Sequence, residues 1–582
     1  MQPYAAPLRS MDHVLARIVG MDDLQGRYPD ADPELVSALL EEAGRYIAGE
    51  VAPHNLAWDR IGARRTEDGV TMPDGMKTAW DGYRALGLTG ITAPPEFGGL
   101  GLPHTVFSAV QEMTAAAGLS FVQTPMLNLC AIEALEVHAP EALKRLYLPR
   151  MAAGDWTGTM NLTEPQAGSD LGALRTRATR AGDGSYRISG QKIFITSGEH
   201  DLAENIVHLV LARLEDAPAG TRGLSLFLVP KFLVGDDGEL GPRNDVTCAA
   251  IEEKMGLHAS ATCTMIFGEA GGARGYLIGE EHKGLACMFT MMNSARLHVG
   301  LQAVGCAERA FQMAATFAAE RVQGTPLGAQ AGAPIRDHAD VRRMLMTMRA
   351  RIAAARAICY RTAKALDMGD DAVADVLTPL AKGYATDIGV EVASDAMQVF
   401  GGMGFVEETG IAQIYRDVRI TPIYEGTNGI QAWDLANRKL RLAGGAAFDG
   451  VVAQIAGFVA EQPRAGAMEG AFRALSAAVE AVTATAGWLR DQHDSAPRNA
   501  AAGAVPFLRM VSDTVGAWLL LKGAVAAQAE IDSGAKDPFL HAQITLARFH
   551  AERLLPLAVA QAAPIQTGDD LVFGADPEML VA

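Results

Sequence analysis

The spacing of hydrophobic residues changes twice along this 582-residue chain. Apolar residues recur at helical spacing from about Pro33 to Ala153. After Gly154 they alternate with a period of about two, in runs such as SYRISGQKIFITSG and GLSLFLVPKF, and helical spacing returns near Glu281. This order predicts a mostly α protein with a central β-domain: an α-helical bundle, a β-barrel or sandwich domain, a second α-helical bundle and a C-terminal helical extension.

Several domains are expected, because a domain ordinarily holds about 100–200 residues. The predicted N-terminal helical domain, middle β-domain, second helical bundle and C-terminal helical extension cover residues 1–157, 158–280, 281–445 and 446–582. The pattern predicts long helices in the second bundle at 301–321, 340–366 and 371–400. The last boundary falls in the small, Gly-rich stretch Leu442–Phe448.

Two segments predict loops. PPEFGGLGLP (Pro94–Pro103) is dense in Gly and Pro, which fits either a tightly closed loop or a plain connector. AAAGA (Ala500–Ala504) is a run of small residues, also expected to form a loop.

The composition restricts the partners and the compartment. Fifty Lys and Arg against 68 Asp and Glu give a formal charge of −18, which disfavours nucleic acid and anionic membrane surfaces. The six cysteines show no CxxC pair or framework spacing, as expected of reduced thiols. No signal peptide is recognisable, and no stretch approaches the roughly 18 uncharged apolar residues of a membrane span. We therefore expect a cytoplasmic protein.

Common cofactor motifs are missing from the sequence. Neither GxGxxG after a strand nor GxxxxGK[ST] occurs, and no HExxH or Cys/His ligand spacing is present. A bound nucleotide cofactor would need another architecture, and metal catalysis has little support.

Two segments of the predicted β-domain carry residues suited to a planar cofactor. MNLTEPQAGSD (Met160–Asp170) places the hydroxyls of Thr163 and Ser169 beside a Pro and Gly turn, whose backbone N–H groups can face an anion or a polar ring. KIFITSGEHD puts Phe194 and Thr196 on the same side of a strand, where they can lie against a flat heterocycle. Alone, each segment is equally typical of an ordinary turn or a half-buried strand.

A carboxylate in the second bundle is a candidate general base. Within the segment Arg416–Ala436, Glu425 follows Ile423 and Tyr424 and enters a Gly-flanked turn before a helix. Apolar neighbours disfavour the charged form and raise the pKa toward the range of a general base. A helix N-terminal Glu stabilised by the helix dipole explains the same residues equally well.

Six motifs occur in an order and approximate spacing that resembles the acyl-CoA dehydrogenase family. They are TEPQAGSD, KIFITSG, NSARLHVG, AERVQGTPLG, QVFGGMGF and YEGTNGIQ. PPEFGGLGLP resembles the N-terminal domain signature of that family. Each motif is weak singly, but the ordered set covers most of the chain. The C-terminal extension and the segment NSARLHVGLQ most resemble the extended subgroup that includes 3-methylmercaptopropionyl-CoA dehydrogenase.

The resemblance implies FAD-dependent α,β-dehydrogenation of an acyl-CoA thioester to the trans-2-enoyl-CoA. Glu425 then matches the catalytic base, and Gly426 offers its backbone N–H to the thioester carbonyl. The positions matched to the substrate site are Ser169, Asn293, Arg296 and Gly426. The positions matched to the FAD site are Met160, Leu162, Thr163, Ser169, Phe194, Ile195, Thr196, Arg321, Gln398, Phe400, Gly401, Gly402, Thr427 and Asn428.

The family also implies a shared cofactor site. Arg321 and the segment from Gln398 to Gly402 match residues that reach the FAD of a neighbouring subunit, so a homodimer is expected. Purely structural roles explain the same residues: the glycines can form a helix C-cap, and Arg321 can be a solvated charge at a helix end. Two residues depart from the family pattern: Phe194 stands where Trp is common, and Gly429 where Glu or Gln is frequent.

The implied substrate is 3-methylmercaptopropionyl-CoA, or alternatively a short or medium-chain fatty acyl-CoA, and the implied electron acceptor is an electron-transferring flavoprotein. An acyl-CoA oxidase that passes electrons to oxygen stays open. So does an alkylation-response type of DNA-binding flavoprotein, although residues 441–582 hold 10 Lys and Arg against 15 Asp and Glu.

Overall fold

The structure is a computed structural model that describes residues 3–463 and 466–581. These residues divide into two compact units. The first unit comprises Pro3–Ala6 and Ala38–Ala295, and the second comprises Pro7–Ser37 and the chain from Arg296 onward. The second unit therefore includes an N-terminal segment that the hydrophobic pattern alone does not assign to it.

The N-terminal part of the chain is helical, as predicted. Its α-helices are α1 (Leu8–His13), α2 (Pro33–Tyr46), α3 (Asn55–Ile61), α4 (Met76–Ala85), α5 (His104–Ala117), α6 (Leu119–His138) and α7 (Glu141–Ala152). Nearly every residue of α5 and α6 is buried, including polar residues such as Gln111, Glu112 and Asn128.

The segment Pro94–Pro103 is a tightly closed loop rather than a plain connector. It contains a single 3₁₀ turn, Pro95–Phe97. A Cβ atom on Gly99 would lie 2.0 Å from the carbonyl oxygen of Ala93, so the backbone approach requires glycine there.

The predicted β-domain lies in the first unit. Apart from a small hairpin of β1 (Arg64–Thr66) and β2 (Gly69–Thr71), its strands are β3 (Trp156–Asn161), β4 (Arg177–Arg180), β5 (Tyr186–Thr196), β6 (Asn205–Leu214), β7 (Leu224–Pro230), β8 (Phe232–Val234), β9 (Leu240–Arg243), β10 (Val246–Ile251), β11 (Thr262–Phe267) and β12 (Ala273–Ile278). Strand β4 pairs with both β5 and β6, which closes the order β5, β12, β7, β6, β4 into a ring. Strands β11 and β10 continue from β5, and β3 adds to β6.

The second helical bundle follows the β-domain. Its helices are α8 (Gly284–Glu320), α9 (Ala339–Asp367), α10 (Asp371–Phe400), α11 (Ile411–Val418) and α12 (Asn428–Trp433). Asp370 caps α10 by accepting a hydrogen bond from the Val373 N–H at 3.3 Å. The prediction of a helix over 371–400 is confirmed to the residue.

The C-terminal extension is helical, as predicted. Its helices are α13 (Ala446–Ala460), α14 (Glu469–Ser495), α15 (Pro497–Asp532), α16 (Pro538–Phe549), α17 (Leu555–Val559), α18 (Ala562–Gln566) and α19 (Asp570–Phe573). The predicted loop at Ala500–Ala504 is wrong, since this run lies inside α15. Alanine is the best helix former, and Gly503 is needed because its Cβ would lie 2.7 Å from Cγ2 of Ile565.

Helix α15 ties the extension to α10 of the same unit. Arg509 Nη1 donates to Glu391 Oε1 at 2.8 Å, and the Tyr384 hydroxyl donates to Asp513 Oδ1 at 2.8 Å. Tyr384 and Asp513 are both buried. The extension is therefore part of the core of the second unit.

Two helical stretches are long and apolar enough by composition to span a membrane, Asn428–Ala460 and Pro497–Asp532, contrary to the sequence analysis. The first is not one straight helix, because Leu442–Gly444 have non-helical backbone angles. The second is a core helix, with 83% of its most apolar window buried. Neither stretch is more than weak support for a membrane span.

Candidate active site

A short loop between α11 and α12 carries Glu425. The loop is anchored by the Tyr424 hydroxyl, which donates to Gln302 Oε1 on α8, and by the Asn428 N–H, which donates to the Pro422 carbonyl at 3.0 Å. Thr427 is the N-cap of α12, since its Oγ1 accepts from the Ile430 N–H at 3.3 Å. Glu425 lies outside this helix, with a left-handed φ of 56°. It is not a residue of the first helical turn, so the helix-end explanation does not fit.

The carboxylate of Glu425 is half-buried. Burial raises its pKa to about 7, while the charges of Arg296 and Lys382 act in the opposite direction. A carboxyl group of this pKa is about half ionised at neutral pH and can both accept and release a proton there.

A buried lysine in α10 lies beside the Glu425 loop. Lys382 is fully buried and its Nζ donates to Asn428 Oδ1 at 2.8 Å. The Nδ2 of Asn428 donates to Asp387 Oδ1 at 2.7 Å, to Thr386 Oγ1 at 2.9 Å and to the Gly383 carbonyl at 3.0 Å. This polar cluster fixes the residue that begins α12, three positions after Glu425.

Burial also lowers the pKa values of the two cationic side chains near Glu425. It lowers the pKa of Lys382 to about 7, against the charges of Glu425 and Asp387, and lowers that of Arg296, against Glu425 and Asp434. Arg296 lies in a motif that matches the substrate site, whereas Lys382 lies in none of the motifs and was not among the predicted site residues. A lone lysine at a core position of a long apolar helix was the available signal, because lysine is almost never fully buried unless it is paired.

Gly426 has a φ of 81°, in the left-handed region that favours glycine. A Cβ atom there would lie 2.9 Å from Nε2 of Gln431. The Gln431 side chain also donates to the Glu425 carbonyl at 3.4 Å. The left-handed backbone conformation thus favours glycine directly after Glu425, and a larger residue would also displace the Gln431 side chain.

Phe194 lies at an irregular point of β5 in the first unit. Its φ is 58°, and the register with β11 shifts between Cys263 and Met265. The simple alternation assumed from the sequence is therefore interrupted by a bulge, which turns the Phe194 ring out of the strand. The ring is 58% exposed, whereas Ile195 beside it is buried. An exposed aromatic on a strained backbone is suited to lie against a planar ligand.

The segment Met160–Asp170 is fastened to β5 by a buried ion pair. Lys192 Nζ lies 2.8 Å from Glu164 Oε1 and 2.9 Å from the Leu162 carbonyl. Thr176 also donates to Glu164, through its hydroxyl at 2.6 Å and its N–H at 3.0 Å. Burial would raise the pKa of Glu164, but the charge of Lys192 outweighs this effect and lowers the pKa to about 2. This pair joins two of the motifs, and the sequence analysis assigned it no role.

Three hydroxyls predicted for the cofactor site, those of Thr163, Ser169 and Thr196, make no hydrogen bond within the described part of the chain. Thr163 and Thr196 are half-buried, and Ser169 is exposed. Leu162 and Ile195 are buried, while Met160 is half-buried.

The predicted cofactor residues of the second unit are mostly at its surface. Arg321, Gln398, Gly401 and Gly402 are exposed, and Cβ atoms on the two glycines would meet nothing within 4 Å. Phe400 instead stacks on Phe317, with ring centroids 4.4 Å apart. The Phe400 ring is therefore part of the protein core. Gly401 is indeed the C-cap of α10, with a φ of 61°.

The predicted residues thus fall into two sets. Those from Met160 to Thr196, together with exposed Asn293, belong to the first unit, and those from Arg296 to Asn428 belong to the second. Within the second unit, Arg296, Lys382 and Asn428 surround the Glu425 loop. Across residues 3–463 and 466–581, no group of three or more His, Cys, Asp or Glu is placed to hold a metal ion.

Comparison with protein families gives four matches in chain order. These are the N-terminal, middle and C-terminal domains of acyl-CoA dehydrogenase, at residues 34–155, 159–270 and 282–440, and an "Acetyl-CoA dehydrogenase C-terminal like" domain at 451–576. The last match covers the extension.

Two similar sequences extend over nearly the whole chain. The chain is 43% identical to the 3-methylmercaptopropionyl-CoA dehydrogenase of Ruegeria pomeroyi, over 98% of this chain and 99% of the relative. It is 34% identical to the broad-specificity linear acyl-CoA dehydrogenase FadE5 of Mycobacterium tuberculosis, over 99% of each.

Solved structures show the same fold. ACDH-11 of Caenorhabditis elegans, in complex with C11-CoA, superposes with a TM-score of 0.78 at 20% identity, over 98% of this chain and 96% of the other. A probable acyl-CoA dehydrogenase from Mycobacterium abscessus gives 0.59 at 28% identity, over 70% and 98%. An acyl-CoA dehydrogenase from Bacillus anthracis, solved in complex with FAD, gives 0.74 at 21% identity, over 94% of this chain and 91% of the other. The chain belongs to the acyl-CoA dehydrogenase family and is an FAD-dependent oxidoreductase that acts on acyl-CoA thioesters.

Proposed function

We propose that Glu425 is the catalytic base that removes the α-proton of the acyl-CoA substrate. The observation that carries this proposal is a half-buried carboxyl group whose pKa is raised to about 7 by burial. At that pKa the group is ionised often enough to accept a proton and is a far stronger base than an ordinary exposed glutamate.

The reaction removes two hydrogens from adjacent carbons. Glu425 takes the α-hydrogen as a proton, and the electron pair of that C–H bond forms the new double bond. FAD supplies the acceptor for the β-hydrogen, which leaves with its electron pair. The Gly426 N–H donates to the thioester carbonyl and stabilises the negative charge that develops there. Arg296 and Lys382 keep Glu425 partly ionised in the resting enzyme.

In the first unit, Phe194 is proposed to lie against the flavin ring, and Thr163 and Thr196 to donate hydrogen bonds to it. The 58% exposure of Phe194 and the two hydroxyls without an internal partner support these roles. Met160, Leu162 and Ile195 contribute mainly backbone atoms, and Ser169 lies where cofactor and CoA meet. The ion pair of Glu164 and Lys192 positions the segment.

In the second unit, Arg321 and the backbone from Gln398 to Gly402 are proposed to hold the FAD of a partner subunit, and Thr427 also contacts FAD. The open space around Gly401 and Gly402 admits a pyrophosphate close to the backbone. Asn428 is better described as a positioning residue, because its side chain is fully engaged with Lys382, Thr386 and Asp387.

The partner subunit is proposed to be a second copy of this chain. The apolar side chains near these FAD residues are exposed: Leu327 fully, Phe405 by 87% and Met403 by 43%. Exposed apolar residues of this size are typical of an interface. The mass of the FAD-loaded protein in solution tests this directly, since a monomer that keeps FAD would contradict the homodimer.

The proposed substrate is 3-methylmercaptopropionyl-CoA, oxidised to methylthioacryloyl-CoA. The support is the 43% identity over the full chain, against 34% to a relative named for broad-specificity linear substrates. Short and medium-chain fatty acyl-CoAs are the alternative. The proposed location is the cytoplasm, where an electron-transferring flavoprotein accepts the electrons.

One set of experiments tests these proposals. Anaerobic bleaching of the flavin should be fastest with 3-methylmercaptopropionyl-CoA and slower with butyryl-CoA and longer acyl-CoAs. Glu425→Gln should lose turnover by about 10²–10⁴-fold or more while it keeps FAD, because a positioned base contributes that much. Retained turnover would rule out Glu425 as the base. Peroxide formed in proportion to oxygen consumed would instead identify an oxidase.

A further inference from the structure

A cavity of about 660 Å³ lies within the second unit, apart from the Glu425 loop. Its walls come from the segment Arg17–Gly20, the end of α9, the turn before α10, and the helices α13 and α15. The volume is within the usual range for small-molecule sites, about 300–1,000 Å³. None of the residues matched to FAD or to acyl-CoA lines it.

The walls of this cavity are rich in positive charge. Four cationic side chains line it against two carboxylates, in a chain whose formal charge is −18. They are Arg17, Arg361, Lys364 and Lys522, with Asp23 and Asp370 as the acids. An anion would be attracted to this cavity despite the net charge of the protein.

Two of the four cations are already held by the protein. Lys364 forms an ion pair with Asp23 and donates to the Gly20 carbonyl at 2.8 Å. Arg17 forms an ion pair with Glu530 at 2.7 Å. These residues shape the wall but have little capacity left for a ligand.

The other two cations have no such partner. Neither Arg361 nor Lys522 makes a hydrogen bond or an ion pair with a residue in 3–463 or 466–581, although both are half-buried. Burial lowers the pKa of both, and the neighbouring charges of Arg361 and Lys364 lower that of Lys522 further. Asp370 is the carboxylate that acts on Arg361, but its Oδ1 is used to cap α10. A bound anion would relieve both the desolvation and the repulsion.

An aromatic residue completes the wall. Lys522 Nζ lies 5.6 Å from the ring centroid of Trp518, which lines the same cavity. The indole Nε1–H of Trp518 is buried and has no hydrogen-bond partner among the described residues. Because the protein itself covers this nitrogen, Trp518 contributes to the cavity wall through its ring beside Lys522 rather than through the N–H.

We propose that this cavity binds a dianionic phosphate group, free or as a phosphate monoester, between Arg361 and Lys522. A phosphate monoester carries a charge of about −1.5 to −2 at pH 7, which matches two unpaired cations. Arginine can hold two phosphate oxygens in parallel, and lysine adds a point charge. Because Trp518 and Lys522 belong to α15, the site exists only in chains that carry the C-terminal extension.

Calorimetric titration of the FAD-loaded holoenzyme with inorganic phosphate, AMP and adenosine tests the proposal. Phosphate or AMP should bind with a Kd below about 1 mM, whereas adenosine should not. Arg361→Gln and Lys522→Gln should each weaken this binding by about tenfold or more. Arg473→Gln, which removes an exposed charge on α14, should leave it unchanged. Equal affinity for phosphate and AMP would identify free phosphate as the ligand, and tighter AMP an ester.

Three outcomes would overturn the proposal. The first is that neither phosphate nor AMP binds, and the second is that adenosine binds as tightly as AMP. The third is that AMP binds both substituted proteins as tightly as the unaltered enzyme, as expected if it occupied an adenosine site elsewhere. Turnover of the acyl-CoA substrate should stay within about twofold in both variants, which reports that they fold. Should one variant fail to fold, the other decides, and the comparison of AMP with adenosine on the unaltered enzyme decides without either.

Discussion

Replacing Lys382 by Met should displace the pH dependence of catalysis to higher pH. Lys382 is fully buried in α10, and its charge acts on Glu425 together with that of Arg296. Burial alone raises the pKa of Glu425, and these two charges oppose the rise. The substitution removes one of the two opposing charges while it keeps most of the side-chain volume, so the pKa of Glu425 must increase.

The expected effect follows from the resting pKa of about 7. An opposite charge beside a carboxyl group lowers its pKa by about 1–3 units. The lowest of these values is an upper limit here, because Arg296 remains and because Lys382, whose own pKa is about 7, carries only part of its charge at neutral pH. With a pKa of at most about 8, the ionised fraction of Glu425 at pH 7 falls from about one half to no less than about one tenth. The value of kcat/KM should therefore fall by up to about fivefold at pH 7 and hardly at all at pH 9.

The measurement is kcat/KM from pH 5.5 to 9.5, because its pH profile reports the pKa of the free enzyme. Lys536→Met is the matched control, since Lys536 is an exposed lysine of the same unit and should leave the midpoint unchanged. FAD content should be equal in all three proteins.

A loss of kcat/KM that is equal at every pH would refute the electrostatic argument. It would mean that Lys382 acts only by holding Asn428 in place, through the 2.8 Å hydrogen bond. A midpoint that moves to lower pH would contradict the sign of the interaction.

Two stability predictions concern the core. Glu308→Gln should lower the free energy of unfolding by about 3–5 kcal/mol, because buried Glu308 pairs with Arg356 at 2.8 Å and Arg349 at 3.0 Å. As the control in the same thermal unfolding assay, Asp340→Asn removes an exposed ion pair and should lower the free energy of unfolding by under about 1 kcal/mol. Gly158→Ala should lower the free energy of unfolding by about 1–3 kcal/mol, because the new Cβ would lie 2.3 Å from Cβ of Ala131. As the control, Gly450→Ala in an open position of α13 should leave the melting temperature equal or higher.

The elements with a clear hydrophobic period could be predicted from the sequence. Helix α10 has an apolar interior, an Asp cap and a Gly end, and its predicted bounds match the structure. The β-domain was recognisable because β6 and β7 are short, apolar and separated by turn residues. Glu425 was recognisable because apolar residues precede it and glycine follows it.

Features that depend on tertiary contacts could not be predicted. The run Ala500–Ala504 resembles a loop in composition, but Gly503 allows α15 to pack closely against Ile565. The segment Pro7–Ser37 belongs to the second unit through contacts such as that of Lys364 with Asp23, which are more than 300 positions apart. The lone lysine in an apolar helix marks Lys382 as unusual, but its partner Asn428 is 46 positions away, so the local sequence does not identify the pair.

Backbone strain singles out the two residues on which the proposed chemistry depends most. Among the described residues other than glycine, six have a left-handed φ, and Phe194 and Glu425 are two of them. Each such conformation costs about 1–3 kcal/mol and persists only where the surroundings enforce it. For Phe194 the enforcing contacts include the Ile193 N–H, which donates to the Thr163 carbonyl at 2.9 Å.

For Glu425 the enforcing contacts are those of its neighbours. Tyr424 is bound to Gln302, Asn428 to Lys382, and Gln431 to the Glu425 carbonyl itself. A base on a loop held at both ends loses little entropy when the substrate arrives, so its carboxylate is already oriented for proton removal. The strain therefore supports a catalytic over a structural role for Glu425, since a purely structural glutamate would gain nothing from a conformation that costs stability.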